Sequence, residues 1–178
     1  MSKILSKYDI NIHGLEEKRY TFDFEGSDDF FEAFEPSFIE KGHFVAKVNL
    51  IKNSTLIQLD FEITGSVEVT CDRSLELYDE PFVIHERFIY KYGEKHEEVS
   101  DEMEIIPRGA ATINIAQHIY DFIAVSLPMK KLHPKFRDED FDEDGKLVYS
   151  SESTQEENDD EQEIDPRWAA LSQLKKKN

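Results

Sequence analysis

Cysteine is almost missing from this chain: Cys71 is the only one in 178 residues. No intramolecular disulfide can form, which fits a reducing compartment. Glycine is also scarce, with seven residues, and neither a Gly-rich phosphate loop nor a G-x-S-x-G nucleophile turn occurs. The six histidines (His13, His43, His85, His96, His118 and His133) form no HxxxH or HExxH spacing, and there is no CxxC. A zinc site needs about four ligands, usually supplied as close pairs. We therefore expect no metal and no cofactor. No stretch approaches the roughly 18 apolar residues that span a bilayer. The first residues, Met1 to Asp9, contain no apolar signal-peptide core. These absences lead to the expectation of a cytoplasmic protein with no membrane partner. Positive charge is short as well: 21 Lys and Arg face 39 Asp and Glu, a formal charge of −18.

The acid is concentrated. Residues 138–165 hold fourteen Asp or Glu and one lysine, Lys146, a net −13 that leaves −5 for the rest. Phe141 and Tyr149 are the only aromatics in that run. It cannot bury enough apolar surface to offset the entropy of ordering, so it is expected to be disordered. Three regions follow: a folded domain over 1–137, an acidic linker over 138–164, and a short helix over 165–177. Asp165 can cap that terminal helix and Pro166 suits its first position. The lysines Lys175 to Lys177 fall where the helix dipole favours cations. Trp168, the only tryptophan, lies on one stripe with Leu171 and Leu174. An amphipathic helix on a flexible leash is built to dock, on an external partner or on its own domain, and Asp165, Pro166, Arg167, Trp168, Leu171 and Leu174 are the partner-binding candidates. Within the acidic run, Asp140 to Leu147 copies the first half of a calcium loop. Ser151 then stands where the bidentate glutamate belongs, so a chance match in an Asp-rich tract is the reading we adopt.

In the first 137 residues the apolar period is mostly two. Tyr8, Ile10 and Ile12 alternate with polar residues, as do Tyr20, Phe22 and Phe24. Ser27-Asp28-Asp29 can cap a short helix carrying Phe30, Phe31 and Phe34, stopped by Pro36. Phe44, Ala46, Val48 and Leu50 form the next apolar face, and Lys52-Asn53-Ser54 turns the chain into a hairpin. Ile57, Leu59, Phe61 and Ile63 share a parity that continues through Gly65 to Val67, Val69 and Cys71, which predicts one long strand bent or bulged at the glycine. Phe82, Ile84, Phe88 and Tyr90 make another strand, interrupted by Glu86, and Met103 and Ile105 a short last one. The period then becomes helical: Ile115, Ile119, Phe122, Ile123 and Leu127 follow Asn114, which can form a capping box with Gln117, and Pro128 ends the run. The fold class is α+β: a curved, mostly antiparallel sheet or partial barrel closed by one main helix.

Inward parity makes Cys71 a small buried hydrophobe rather than a nucleophile, since no base is paired with it. His118 shares the helix with Asp121 and reads as a boundary residue. Lys130, Lys131, Lys135 and Arg137 form a basic cluster, best explained, like Lys175 to Lys177, as counter-charge to the acid. Nucleic-acid affinity rests on phosphate neutralisation, so charge disfavours RNA as the direct partner. The composition leaves the oligomeric state open.

Three segments carry a resemblance. Val69-Thr70-Cys71-Asp72-Arg73-Ser74-Leu75-Glu76 is similar to a Cys-x-Arg-Cys-Leu-Glu motif, with Cys71, Arg73 and Leu75 matching. Asn114 through Asp121 to Leu127-Pro128 resembles a hydrophobic-Asp-Leu…Glu…Leu-Pro helix, and Asp165-Pro166-Arg167-Trp168-Ala169-Ala170-Leu171 a terminal Asp-Pro-Arg-x-Ala-x-Leu signature. Together they resemble the YceD family of large ribosomal RNA subunit accumulation proteins, over roughly Tyr8 to Leu174, in a variant similar to the Bacteroidetes branch with its long acidic linker. Ser74 replaces the second Cys of the motif, later Cys pairs are missing, Asn114 stands for Asp and Asp121 for Glu. The resemblance implies a non-enzymatic factor for accumulation or processing of large-subunit ribosomal RNA. In many bacteria the family is encoded beside a small basic zinc-ribbon ribosomal protein, and plant members are implicated in plastid RNA maturation. The partner this suggests is a basic ribosomal protein or a pre-ribosomal particle. The alternatives are direct RNA binding by the folded domain and, further off, a Cys71-dependent hydrolase.

Overall fold

The computed structural model describes residues 3–34, 37 and 39–137. Pro36, the acidic run with its calcium-loop-like stretch, and the terminal segment holding Asp165, Pro166, Arg167, Trp168, Leu171 and Leu174 lie outside these residues. In chain order the elements are β1 (Asp9–Asn11), β2 (Arg19–Gly26), α1 (Asp28–Glu32), β3 (Gly42–Lys52), β4 (Leu56–Thr70), β5 (Leu77–Gly93), β6 (Glu97–Ser100), β7 (Met103–Pro107), β8 (Thr112–Asn114) and α2 (Ala116–Ser126). Single 3-10 turns occur at Leu5–Tyr8 and Pro134–Phe136. An open six-stranded sheet runs β2-β3-β4-β5-β7-β6, and β1 pairs with β8 in a separate ribbon. All pairings are antiparallel except β5 with β7. The fold is α+β, an open, curved sheet with one main helix, as the alternating and then helical periods predict.

The period of two sorts side chains onto faces. Phe44, Ala46, Val48 and Leu50 of β3 are buried, and so are Ile57, Leu59, Phe61, Ile63, Val67 and Val69 of β4. Tyr78, Phe82, Ile84, Phe88 and Tyr90 continue that face on β5. Helix α2 covers it with Ala116, Ile119 and Ile123, all buried. Phe122 meets Phe61 edge-on at 5.3 Å. Phe30 and Phe31 of α1 pack edge-on against Phe44 at 4.8 and 6.1 Å, closing the core near the start of β3.

The structure corrects four expectations. Strand β4 passes Gly65 without a register shift on either side. Glycine is needed there because a Cβ would stand 2.2 Å from the His43 carbonyl oxygen; the close approach of β3, not a bulge, sets the requirement. In β7 the inward residue is Ile106, while Met103 and Ile105 take the opposite parity. Two flanking strands, β6 and β8, were not visible as periods because they are only four and three residues long. The capping box does not form: Ile115 occupies the N-cap and Gln117 Nε2 donates to Asp121 Oδ1. Asn114 instead joins the chain's beginning to the helix, donating to the Leu5 carbonyl and Asp9 Oδ1 while its Oδ1 accepts from the Ala116 N–H.

Candidate functional site

The loop from β4 to β5 brings the first motif into three dimensions. The Cys71 N–H donates to the Glu76 carbonyl and the Leu75 N–H donates to the Cys71 carbonyl, closing a tight turn. The turn forces Leu75 to φ 59°, a left-handed conformation uncommon for a residue with a side chain. The segment after α2 returns across this loop because Pro128, just past the end of α2, prevents the helix from continuing. The Asp72 N–H donates to the Lys131 carbonyl, and the Lys131 N–H donates to Asp72 Oδ2 at 2.7 Å. The His133 N–H donates to Cys71 Sγ at 3.3 Å and the Ser74 N–H to the same sulfur at 3.5 Å. Segment 131–137 thus straps the hairpin end down.

Cys71 is fully buried, as its parity predicts. Burial raises its thiol, but hydrogen bonding from Ser74 and from the N–H groups of His133, Ser74 and Arg73 prevails and brings it down to about 7. His133 reaches the sulfur only through its backbone; its imidazole Nδ1 accepts from the Lys135 N–H and its ring lies 5.4 Å from Tyr78. The sulfur is therefore an acceptor that ties loop to strap.

Charge on the strap is balanced locally. Lys135 pairs with Glu76 and Arg137 with Glu80, the one buried charged residue among those described. The expectation that this basic cluster serves the acidic run is corrected in part: two of its four members neutralise the hairpin instead. Arg73 and Lys135 also lie 4.7 and 5.0 Å from the Phe136 ring. Beside them the Tyr78 hydroxyl is buried, with no hydrogen-bond partner of normal geometry among the described residues. The sequence did not single out Glu80, Tyr78 or Phe136, whose roles depend on which segment crosses the loop.

The second motif forms a separate cluster around α2. Asn114 and Asp121 sit at its start and middle, Leu127 caps its end and Pro128 follows. His118 stacks on Phe88 at 3.9 Å, and its Nε2 lies 2.5 Å from the Tyr90 hydroxyl. Burial pushes His118 down to about 4, and burial, aided by Glu104, pushes Tyr90 up. At neutral pH the tyrosine therefore keeps its proton and donates it to a neutral imidazole. Cys71 and His118 belong to different clusters and make no contact. Among the described residues no three His, Cys, Asp or Glu are placed to hold a metal, and no helix is long and apolar enough to cross a membrane.

These features define an α+β sheet protein whose hairpin end is pinned by a buried thiol and a charge-paired strap. The family described as "Large ribosomal RNA subunit accumulation protein YceD" matches residues 59–175, which include that hairpin, α2 and the terminal segment. The chain belongs to the YceD family, and so to proteins involved in large-subunit ribosomal RNA accumulation. No curated protein and no solved structure matches it.

Proposed function

We propose that this chain is a non-enzymatic cytoplasmic factor that supports ribosome assembly by holding a basic ribosomal protein or the basic surface of a pre-ribosomal particle. The observation that carries this reading is the net −13 within residues 138–165 of a chain from a ribosomal RNA accumulation family. Concentrated negative charge speeds capture of cationic chains and sorts them from nucleic acid. Trp168, Leu171 and Leu174 supply an apolar anchor beside that charge. The buried, backbone-bonded state of Cys71 supports a structural rather than a nucleophilic role. The test is retention of purified ribosomal proteins on the immobilised full chain. Basic ribosomal proteins should be retained at low salt and released at high salt; if none is retained at low salt, the reading is wrong.

Arg73 and Lys135 over the Phe136 ring favour a second reading, direct RNA contact at the strapped hairpin. The ion pair of Lys135 with Glu76 lowers the charge available for it. Large-subunit RNA fragments bound at the hairpin would lose affinity on Arg73→Ala; no binding by the full chain removes this reading.

A further inference from the structure

Strand β5 is paired along one side only for most of its length. Strand β4 accompanies it from Leu77 to Lys91, whereas β7 pairs only with Ile89 to Gly93. The Ile89 N–H donates to the Glu102 carbonyl on the β7 side, and the Tyr92 N–H donates to the Thr55 carbonyl on the β4 side. Peptide groups alternate along a strand, so odd-numbered groups of β5 face the β7 side. Below Ile89 these are the N–H and C=O groups of Val83, His85 and Arg87, and among the described residues nothing pairs with them. Pro81, without an N–H, marks the far end of the open stretch. An exposed row of this kind is a template for strand addition.

The surroundings choose the occupant. The hollow beside this edge is lined by Asp60, Glu62, Glu86 and Glu102, with His85 and Arg87. Arg87 is taken by Asp60 at 2.7 Å. Glu62, Glu86 and Glu102 have no ion-pair partner among the described residues. Glu86 has the parity of Phe82, Ile84 and Phe88 yet is exposed. Two copies meeting across this edge would bring two such carboxylates onto one apolar face, which opposes self-association. A strand bearing lysine or arginine meets them favourably, and an exposed Val83 offers apolar contact on the opposite face.

We propose that the open edge of β5, Val83 to Arg87, takes up an extended basic peptide segment by strand addition, with Glu86 and Glu102 selecting its cations. This rests on the reading that the chain holds a basic protein, and it assigns the contact to the sheet rather than to the acidic run alone.

The test is amide hydrogen exchange on the full chain with a peptide of about ten residues alternating valine with lysine or arginine, a length that spans the edge. A control peptide of the same sequence carries N-methyl groups on alternate residues, keeping charge and losing the ladder. The first peptide should slow exchange at Val83, His85 and Arg87 by about tenfold or more, and the methylated one should not. Glu86→Lys, an exposed position, should weaken peptide binding about tenfold while β3 and β4 amides exchange as before. Unchanged edge amides at saturating peptide, equal protection by the methylated peptide, or an unaffected Glu86→Lys variant would overturn the proposal. So would protection of the same amides by a single-stranded RNA oligonucleotide. Retention of a basic ribosomal protein with unprotected edge amides defeats this inference alone; protected edge amides with no ribosomal protein retained leave it standing and defeat the proposed function.

Discussion

At the scale of single residues, two buried groups set measurable properties. His118 titrates at about 4 in the fold against 6.5 when solvated, because burial disfavours its charged form. Below pH 6.5 the unfolded chain binds this proton and the folded chain does not, so stability falls as pH drops from 6.5 towards 4 and is fully present above. The loss reaches at most about 3 kcal/mol. Urea unfolding at pH 7 and pH 4.5 should show it, and the double variant His118→Phe, Tyr90→Phe, which removes both partners of one hydrogen bond, should flatten that part of the profile. Cys71 makes the complementary case. Its thiol sits near 7, yet the side chain is fully buried, so alkylation by iodoacetamide should be slow in the native chain and fast in urea. Cys71→Ser keeps an acceptor for the Ser74 and His133 N–H groups; Cys71→Ala orphans both and should cost about 2 kcal/mol more. A loss of ribosomal function in a normally folded Cys71→Ser chain would reopen nucleophilic chemistry.

At the scale of elements, β4 sets the geometry of everything else. It pairs with β5 along its whole length and with β3 from Ile57 to Val67, and Gly65 lies opposite Phe44 on one side and Phe82 on the other. A methyl group at Gly65 would meet backbone on one side and the Phe82 ring on the other, 2.2 Å and 2.9 Å away. Gly65→Ala should therefore lower stability by about 3 kcal/mol or more, read from denaturant midpoints at unchanged slope. Strands of this length announce themselves, since seven or eight alternations repeat one parity. The hairpin β3–β4, the buried face of β5 and the span of α2 were legible for that reason. Strand β7 was not: a five-residue strand with two adjacent isoleucines, Ile105 and Ile106, reads equally well in either parity, and only pairing with Tyr92 selects Ile106. The cap of α2 escaped for a similar reason, because Asn114 is drawn into the β1–β8 ribbon by Leu5 and Asp9, which lie over a hundred residues away in sequence. Of the hairpin site, Cys71 was legible from its parity. Its strap was not, since nothing in Lys131 to Arg137 taken alone says which carboxylates it will meet.

At the scale of the whole molecule, charge is divided between two places with different ranges of action. The strapped hairpin spends its cations on its own carboxylates: Glu76 holds Lys135 and Glu80 holds Arg137. The run 138–165 has one lysine against fourteen acids and can satisfy almost none of them internally. Its field reaches about 8 Å at physiological ionic strength and much farther in dilute salt, whereas a strand edge acts only on contact. Under the proposed function, a basic partner would be gathered by the first and given register by the second. Replacing every Asp and Glu of 138–165 by its amide leaves the chain length intact and removes the local excess. Association rates with basic ribosomal proteins should then fall by about tenfold or more, and most of their salt dependence should disappear. Dissociation rates should change far less if the contacts that fix register lie, as proposed, in the sheet. Surface plasmon resonance separates the two rates. If the amide variant alters dissociation and leaves association untouched, the acid acts as a binding site in its own right, and the division of labour between run and sheet is wrong.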